Sequence, residues 1–227
     1  MTTPAVLPAV RSAARKVRRQ LLSLAADVFE IGVDDLVVSD GRIRSRDGAL
    51  DADVVEVTGK LGNATIDGSG ARGPNPDGFR VNTFGCQIAQ VAVDPGTGVV
   101  TVERVVAVHD VGRIVNPLAA SSQVEGGVIQ GVGYALSEEL LVDPTTGMPV
   151  NGHLDDYKVP TIADVPEIVV DFVDLPDPNL PNLGAKGLGE PPIVPTAAAI
   201  ANAFAHATGR RPEALPLTPA RVLETLA

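Results

Sequence analysis

The chain has 227 residues, of which 44% are hydrophobic and 20% charged, a length that suits one large domain or two intimate lobes around a real core. Its net charge of −10 repels phosphate backbones and excludes nucleic acid as a natural partner. One cysteine and three scattered histidines exclude an internal disulfide and any zinc or iron–sulfur site held by this chain alone.

No apolar run approaches the roughly 20 residues of a membrane span, and no apolar signal core follows the N-terminus. A cytoplasmic protein without membrane contact is therefore expected. Aromatic residues are only 3% and Trp is absent, so the core has to be built of Val, Leu, Ile and Ala. The charge is uneven. Arg11, Arg15, Lys16, Arg18 and Arg19 fall in the first 20 residues without an acid, and the remainder is strongly acidic. The basic segment reads as the solvated face of a first helix.

That helix is expected over Pro8–Phe29, where Val10, Ala14, Val17, Leu21, Leu24 and Val28 recur every three or four residues. Leu36–Val38 and Arg42–Arg44 flank Ser39-Asp40-Gly41 as a short hairpin. Asp53–Lys60 reads as a strand or a helix start. Thr65–Asp77, rich in Gly and Pro, reads as a mobile loop. A longer hairpin follows, Ile88–Val93 and Val99–Val108, joined by Asp94–Gly98. Its second strand is apolar on both faces, as a central strand would be.

Asn116-Pro117 leads into a helix over about Ala119–Leu140, with Val124, Val128, Val132, Leu136 and Leu140 on one face. Gly126, Gly127, Gly131 and Gly133 would each weaken an exposed helix by about 1 kcal/mol relative to Ala. Four of them predict a buried helix closely approached by another backbone or a ligand. Asp143–Asn151 reads as a turn, Ile168–Val173 as a strand, and Leu175–Leu183 as an extended loop. A helix beginning between Ile193 and Pro195 closes near Gly209. A short last helix starts at Thr218, the N-cap, with Pro219 at its first position. The fold class is α+β: mixed sheet with a long β-hairpin packed against a buried glycine-rich helix, and further helices at both ends.

The segment Gly184-Ala185-Lys186-Gly187-Leu188-Gly189-Glu190-Pro191-Pro192 sets one carboxylate between a glycine-rich loop and two prolines. The glycines permit close approach of a ligand to the main chain, and Pro191 restricts Glu190 to extended geometry. From the residues alone, Glu190 is either a positioned general base or a cap or dipole partner of the following helix. Gln123 could bind a polar ligand through its amide or act as a local helix cap. Gln130 reads as packing or bonding to nearby backbone. His109 and Asp110 are adjacent on a strand, point to opposite faces and cannot form a dyad with each other; Asp110 is expected to pair with Arg113. Cys86 reads as a small buried hydrophobe, and Lys186 as a surface or loop-stabilising ammonium, with contact to an anionic cofactor as the weaker alternative. Asp155, Asp156, Glu138 and Glu139 lack calcium-loop spacing and read as solvated.

Six segments occur in a telling order: Phe84-Gly85-Cys86-Gln87, Val108–Pro117, Gln123–Gly131, Asp156–Pro160, Gly184–Pro192 and Leu215–Pro219. Together they resemble the C-terminal half of the molybdenum-binding large subunit of the xanthine dehydrogenase and aldehyde oxidase family, its second molybdopterin-binding domain. The resemblance extends from about Pro8 onward. It implies a molybdopterin cofactor, bare or as a dinucleotide, with no protein side chain ligating the metal. It also implies iron–sulfur and FAD centres on partner chains or domains. By motif position, Glu190 is the general base beside the metal, and Gln123 contacts the cofactor. The implied reaction hydroxylates an aldehyde or N-heterocycle with oxygen from water. The implied partner is the N-terminal half of the same subunit, which carries the rest of the cofactor cradle. A non-catalytic module that docks to a partner is the alternative.

Overall fold

In the computed structural model, which describes residues 2–180 and 184–227, helix α1 spans Thr2–Phe29 and contains Pro8. A proline lacks the N–H that would pair with the carbonyl four residues back. That carbonyl, Pro4 O, instead accepts from Arg72 Nε at 3.1 Å. The buried face of α1 differs from the expected stripe. Val10 is more than half exposed, whereas Ala25 is fully buried with Leu21, Leu22 and Leu24 around it. All five basic side chains of this helix are exposed.

Residues 2–75 form one compact unit and 76–227 another. In the first, strands β1 (Leu36–Ser39), β2 (Arg42–Ser45) and β3 (Asp51–Asp53) make an antiparallel sheet in that order. The β1–β2 turn has left-handed Asp40 (φ 51°) and Gly41 (φ 73°), the conformation that matches hairpin twist. Asp53 ends β3 and caps α2 (Val54–Thr58) by accepting from Val55 N at 2.8 Å, so this stretch is both of the expected alternatives in turn. Ala25, Leu36, Ile43 and Val57 are its core. Residues 67–72 are irregular, yet they lie along α1. Gln20 donates to Asp67 O at 2.7 Å, and a Cβ on Gly68 would stand 2.5 Å from Ala13 O.

In the second unit the hairpin is β4 (Phe84–Val93) and β5 (Val100–Asp110), with a bulge at Gln90/Val91. Asp94 shapes the turn, accepting from Gly96 N and Thr97 Oγ1 at 2.8 Å each. Strand β6 (Glu167–Phe172) pairs parallel to β5, which is therefore central. A parallel neighbour needs a crossover connection, and the crossover carries α3 (Pro117–Leu136). Asn116 caps α3 by accepting from Ala119 N at 3.0 Å. The helix stops at Leu136, four residues before the expected end, and Leu140 is exposed.

The core is aliphatic, as the composition required, around one phenylalanine. Val105, Val124, Val128, Ile200, Phe204 and Val222 are fully buried. Helix α4 (Thr196–Thr208) supplies Ile200 and Phe204 and packs on β4, while α3 packs on α4 and β6. The α+β class holds, but the hairpin's principal helical neighbour is α4 rather than α3. Gly209 (φ 71°) closes α4 as expected. Thr218 caps α5 (Pro219–Leu226). The turn at Asp143–Asn151 forms, with Asp143 accepting from Thr145 N and Thr146 N. Glu138 and Glu139 are not simply solvated. Tyr157 donates its hydroxyl proton to Glu138 at 3.0 Å, and Glu139 pairs with Arg221 at 2.7 Å. No described helix is long and apolar enough to cross a membrane.

Candidate active site

Three polar side chains hold the segment around Glu190 in place within the second unit. At its start, the backbone of 184–186 runs beside 111–113. Lys186 N donates to Val111 O at 2.8 Å, and Arg113 N donates to Gly184 O at 3.1 Å. Gly112 and Gly184 both take positive φ here, 67° and 70°. A Cβ on Gly112 would strike Gly184 O, and one on Gly184 would stand 2.5 Å from Asp177 N. These two positions require glycine on both counts. Residues 181–183, the end of the expected extended loop, lie outside the described residues.

Lys186 is not on the surface. Its side chain is 11% exposed, with Nζ 3.1 Å from Asp110 and 3.9 Å from Asp177. Asp110 therefore pairs with Lys186 and not with Arg113, whose backbone is used and whose side chain is exposed. The N–H of Gly112 donates to Asp110 at 3.0 Å. That bond and the neighbouring ammonium hold the carboxyl below the usual carboxylate range against the cost of burial.

His109 faces the opposite side of β5, as alternation demands, and is completely buried. Among the described residues neither ring nitrogen has a hydrogen-bond partner. Gly85 lies opposite in the ladder, and a Cβ there would stand 2.5 Å from the imidazole Nδ1. Burial lowers the imidazole pKa. The folded chain thus keeps this ring neutral, while the unfolded chain protonates it below about pH 6.5. The unfolded state then binds the extra proton, so stability falls as pH drops from 6.5 toward the lowered folded value. Asp110, with its lowered pKa, contributes stability that is lost only at still lower pH. We expect His109→Leu to flatten melting temperature against pH just below 6.5. An unchanged slope would show that another group carries it.

The middle of the segment is tied by Gln123, on the second turn of α3. Its Nε2 donates to Gly189 O at 2.9 Å, the carbonyl of the Gly189–Glu190 peptide. Gln123 is therefore not a local cap. Its Oε1 accepts no bond among the described residues, and Gln123, Gly189 and Glu190 are all exposed. A Cβ on Gly126 or Gly189 would meet nothing within 4 Å. The close approach expected of the four helix glycines occurs at Gly127, Gly131 and Gly133, but not at Gly126. Gln130 is exposed, not packed.

The end of the segment is tied by Gln87, which the sequence reading did not single out. Its buried amide donates to Pro192 O at 2.7 Å and accepts from Thr196 Oγ1 at 2.7 Å. The available signal was its strand position. Gly85, Gln87 and Ala89 share the inward face, and a buried amide needs partners. Cys86, next to it, points outward and is exposed rather than buried.

Glu190 does not cap α4. Residues 191–195 form successive turns, and the helix begins at Thr196 without a side-chain cap. The Glu190 backbone carbonyl accepts from Ile193 N at 3.3 Å, while its carboxylate is exposed. The structure thus removes the capping alternative and brings Gln123 and Glu190 to one surface.

The family model described as the molybdopterin cofactor-binding domain matches residues 1–166. The chain belongs to that family. It is 38% identical, over 96% of its length, to the xanthine dehydrogenase molybdenum-binding subunit of Escherichia coli O157:H7. It is 39% identical, over 83% of its length, to an aldehyde oxidoreductase molybdenum-binding subunit of Escherichia coli K12. The chain spans 29% and 25% of those two proteins. Among solved structures, quinoline 2-oxidoreductase from Pseudomonas putida 86 superposes with a TM-score of 0.81 at 30% identity, covering 94% of this chain and 28% of that one.

Proposed function

We propose that this chain forms one side of the active centre of a molybdopterin-dependent hydroxylase, with Gln123 on the cofactor and Glu190 as general base. One observation carries the reading: Gln123 is bonded to the peptide that bears Glu190, so two side chains distant in sequence open on one surface. The free Oε1 of Gln123 offers an acceptor to a pterin N–H. The vacant space beside Gly126 and Gly189 leaves room for a flat ring against backbone, which supports a fit to the cofactor. When bound, the cofactor supplies the redox centre that takes two electrons from the substrate.

The role of Glu190 is to take up the proton released as oxygen from water is transferred to carbon. Among the described residues its carboxylate has no cation or cap holding it in another role, and Pro191 restricts the backbone beside it. The substrate class is an aldehyde or an electron-poor N-heterocycle, in keeping with the names of the relatives. Exposed Leu141, Val142, Met148, Val150, Leu154 and Ile162 suit a large apolar contact, here with the remainder of the molybdenum subunit. Iron–sulfur and flavin subunits would carry the electrons away.

The reading is tested by expressing the chain alone and together with the remaining segment and the two electron-transfer subunits. Molybdenum and pterin are then quantified, and benzaldehyde and xanthine are offered with ferricyanide as acceptor. We expect a loaded assembly that oxidises one of them, and an isolated chain without stoichiometric pterin. Stoichiometric pterin in the isolated chain would contradict the shared cradle. An assembly that forms without molybdenum would favour the docking module instead.

A further inference from the structure

We propose that Gln87 is a positioning residue for Glu190: its side-chain amide clamps the Pro191–Thr196 turn onto strand β4 and thereby sets the carboxylate's place. The proposal rests on Glu190 being the proton acceptor. Both ends of one buried amide are spent on this turn, Nε2 on Pro192 O and Oε1 on the Thr196 hydroxyl, each at 2.7 Å. Thr196 is itself fully buried, and its single hydroxyl proton, directed at Gln87 Oε1, also lies within reach of Pro192 O at 3.2 Å. The three groups form a closed triangle across more than 100 residues of sequence. Gln87 contacts no other polar partner among the described residues, so the whole hydrogen-bonding capacity seen for this amide is directed at the turn and the first residue of α4.

The clamp is stiffly coupled to Glu190. Only Pro191 separates Glu190 from the anchored Pro192, and both prolines have φ fixed by their rings. A shift of the Pro192 carbonyl is therefore passed back along the chain with little slack. On the other flank, Gly127 of α3 allows Pro192 to pack against the helix, where a Cβ would stand 2.5 Å from the proline's own Cβ. Gly131 does the same for Thr196. The turn is gripped between a side chain of β4 and the bare backbone of α3, while Glu190 projects outside the grip and stays exposed. Such an arrangement holds the main chain from which the carboxylate extends without bonding to the carboxylate.

The test uses the assembled holoenzyme carrying Gln87→Leu, with Thr196→Val as a second variant that removes the hydroxyl while keeping the shape. Three readouts are taken: amide hydrogen exchange at Ile193 and Thr196, molybdenum and pterin content, and kcat separately from KM on benzaldehyde or xanthine. We expect faster exchange in the turn, unchanged cofactor content, and a fall in kcat of about 100-fold with KM nearly constant, the scale of a misplacement near 1 Å. In the Glu190→Gln background, Gln87→Leu should lower kcat no further. Unchanged exchange in the turn in both variants overturns the clamp. Faster exchange with unchanged kcat overturns the positioning role. Should Glu190→Gln alone turn over normally, the base assignment fails, and the exchange readout still reports on the clamp by itself.

Discussion

Replacing Glu190 by Gln in the assembled enzyme is expected to lower turnover by about 10²–10⁴, the usual worth of a general base, while molybdenum and pterin content stay at the wild-type level. The amide keeps the shape of the side chain and can still accept a hydrogen bond, but it cannot take up a proton near neutrality. The structure gives a reason to expect no collateral damage. Glu190 is exposed and does not cap α4, and the bonds that hold its loop use Lys186, Gly189 O and Pro192 O rather than the carboxylate. A stability change beyond a few tenths of a kcal/mol, the range for surface positions, would mean that the side chain has a structural partner. Turnover is checked by steady-state oxidation at full metal loading.

Gly127→Val is expected to damage both stability and activity. The first carbon of the new side chain would lie 2.5 Å from Pro192 Cβ and 3.1 Å from Ile193 N. Neither neighbour can swing aside, because one is a proline ring atom and the other is main chain. Helix α3 would have to move off the turn that follows Glu190. Forcing extra carbon into a packed core costs about 1–3 kcal/mol, and part of the relief would come from displacing the Glu190 backbone. Gly126→Ala, one residue earlier, meets nothing within 4 Å and should leave stability the same or raise it by about 1 kcal/mol through helix propensity. Thermal denaturation of the two variants, side by side, checks the contrast. Equal effects at both positions would contradict the packing described for α3.

The contrast between these glycines shows what could be read from sequence. Four glycines on one helix announced a close approach, because no exposed helix tolerates them cheaply. For Gly127 and Gly131 the neighbour is chain that returns about 65 residues later, at Pro192 and Thr196, and no local pattern carries that; Gly133 meets Glu138 and Pro160. The hairpins, the Asn116-Pro117 lead into α3, the Thr218 cap and the Gly209 stop were legible for the opposite reason, since each is decided by residues within a few positions. The end of α3 was placed too late because Leu140 continues the i+4 spacing after the backbone has left the helix at Ser137. The helix after Glu190 was placed early, because apolar Ile193 and Val194 fit a helical pattern while two prolines impose turns.

At the site, sequence brought Glu190 and Gln123 forward by motif and left their geometry open. Ion pairing was the least legible layer. Asp110 lay three residues from Arg113 but turned to Lys186, 76 residues away, because the left-handed Gly112 diverts the chain before Arg113. Gln87 was passed over because a glutamine in a strand ordinarily faces water. Its inward place follows from the alternation of β4, but its partners are known only once the packing of α4 is known.

The most direct measurement compares molybdenum and pterin per protomer with turnover per bound molybdenum in assembled Gln123→Ala and Glu190→Gln. If Gln123 holds the cofactor and Glu190 moves the proton, Gln123→Ala loses cofactor while turnover per bound metal falls comparatively little. Glu190→Gln keeps the cofactor and loses turnover per metal. Full loading of Gln123→Ala together with normal turnover of Glu190→Gln would contradict both assignments.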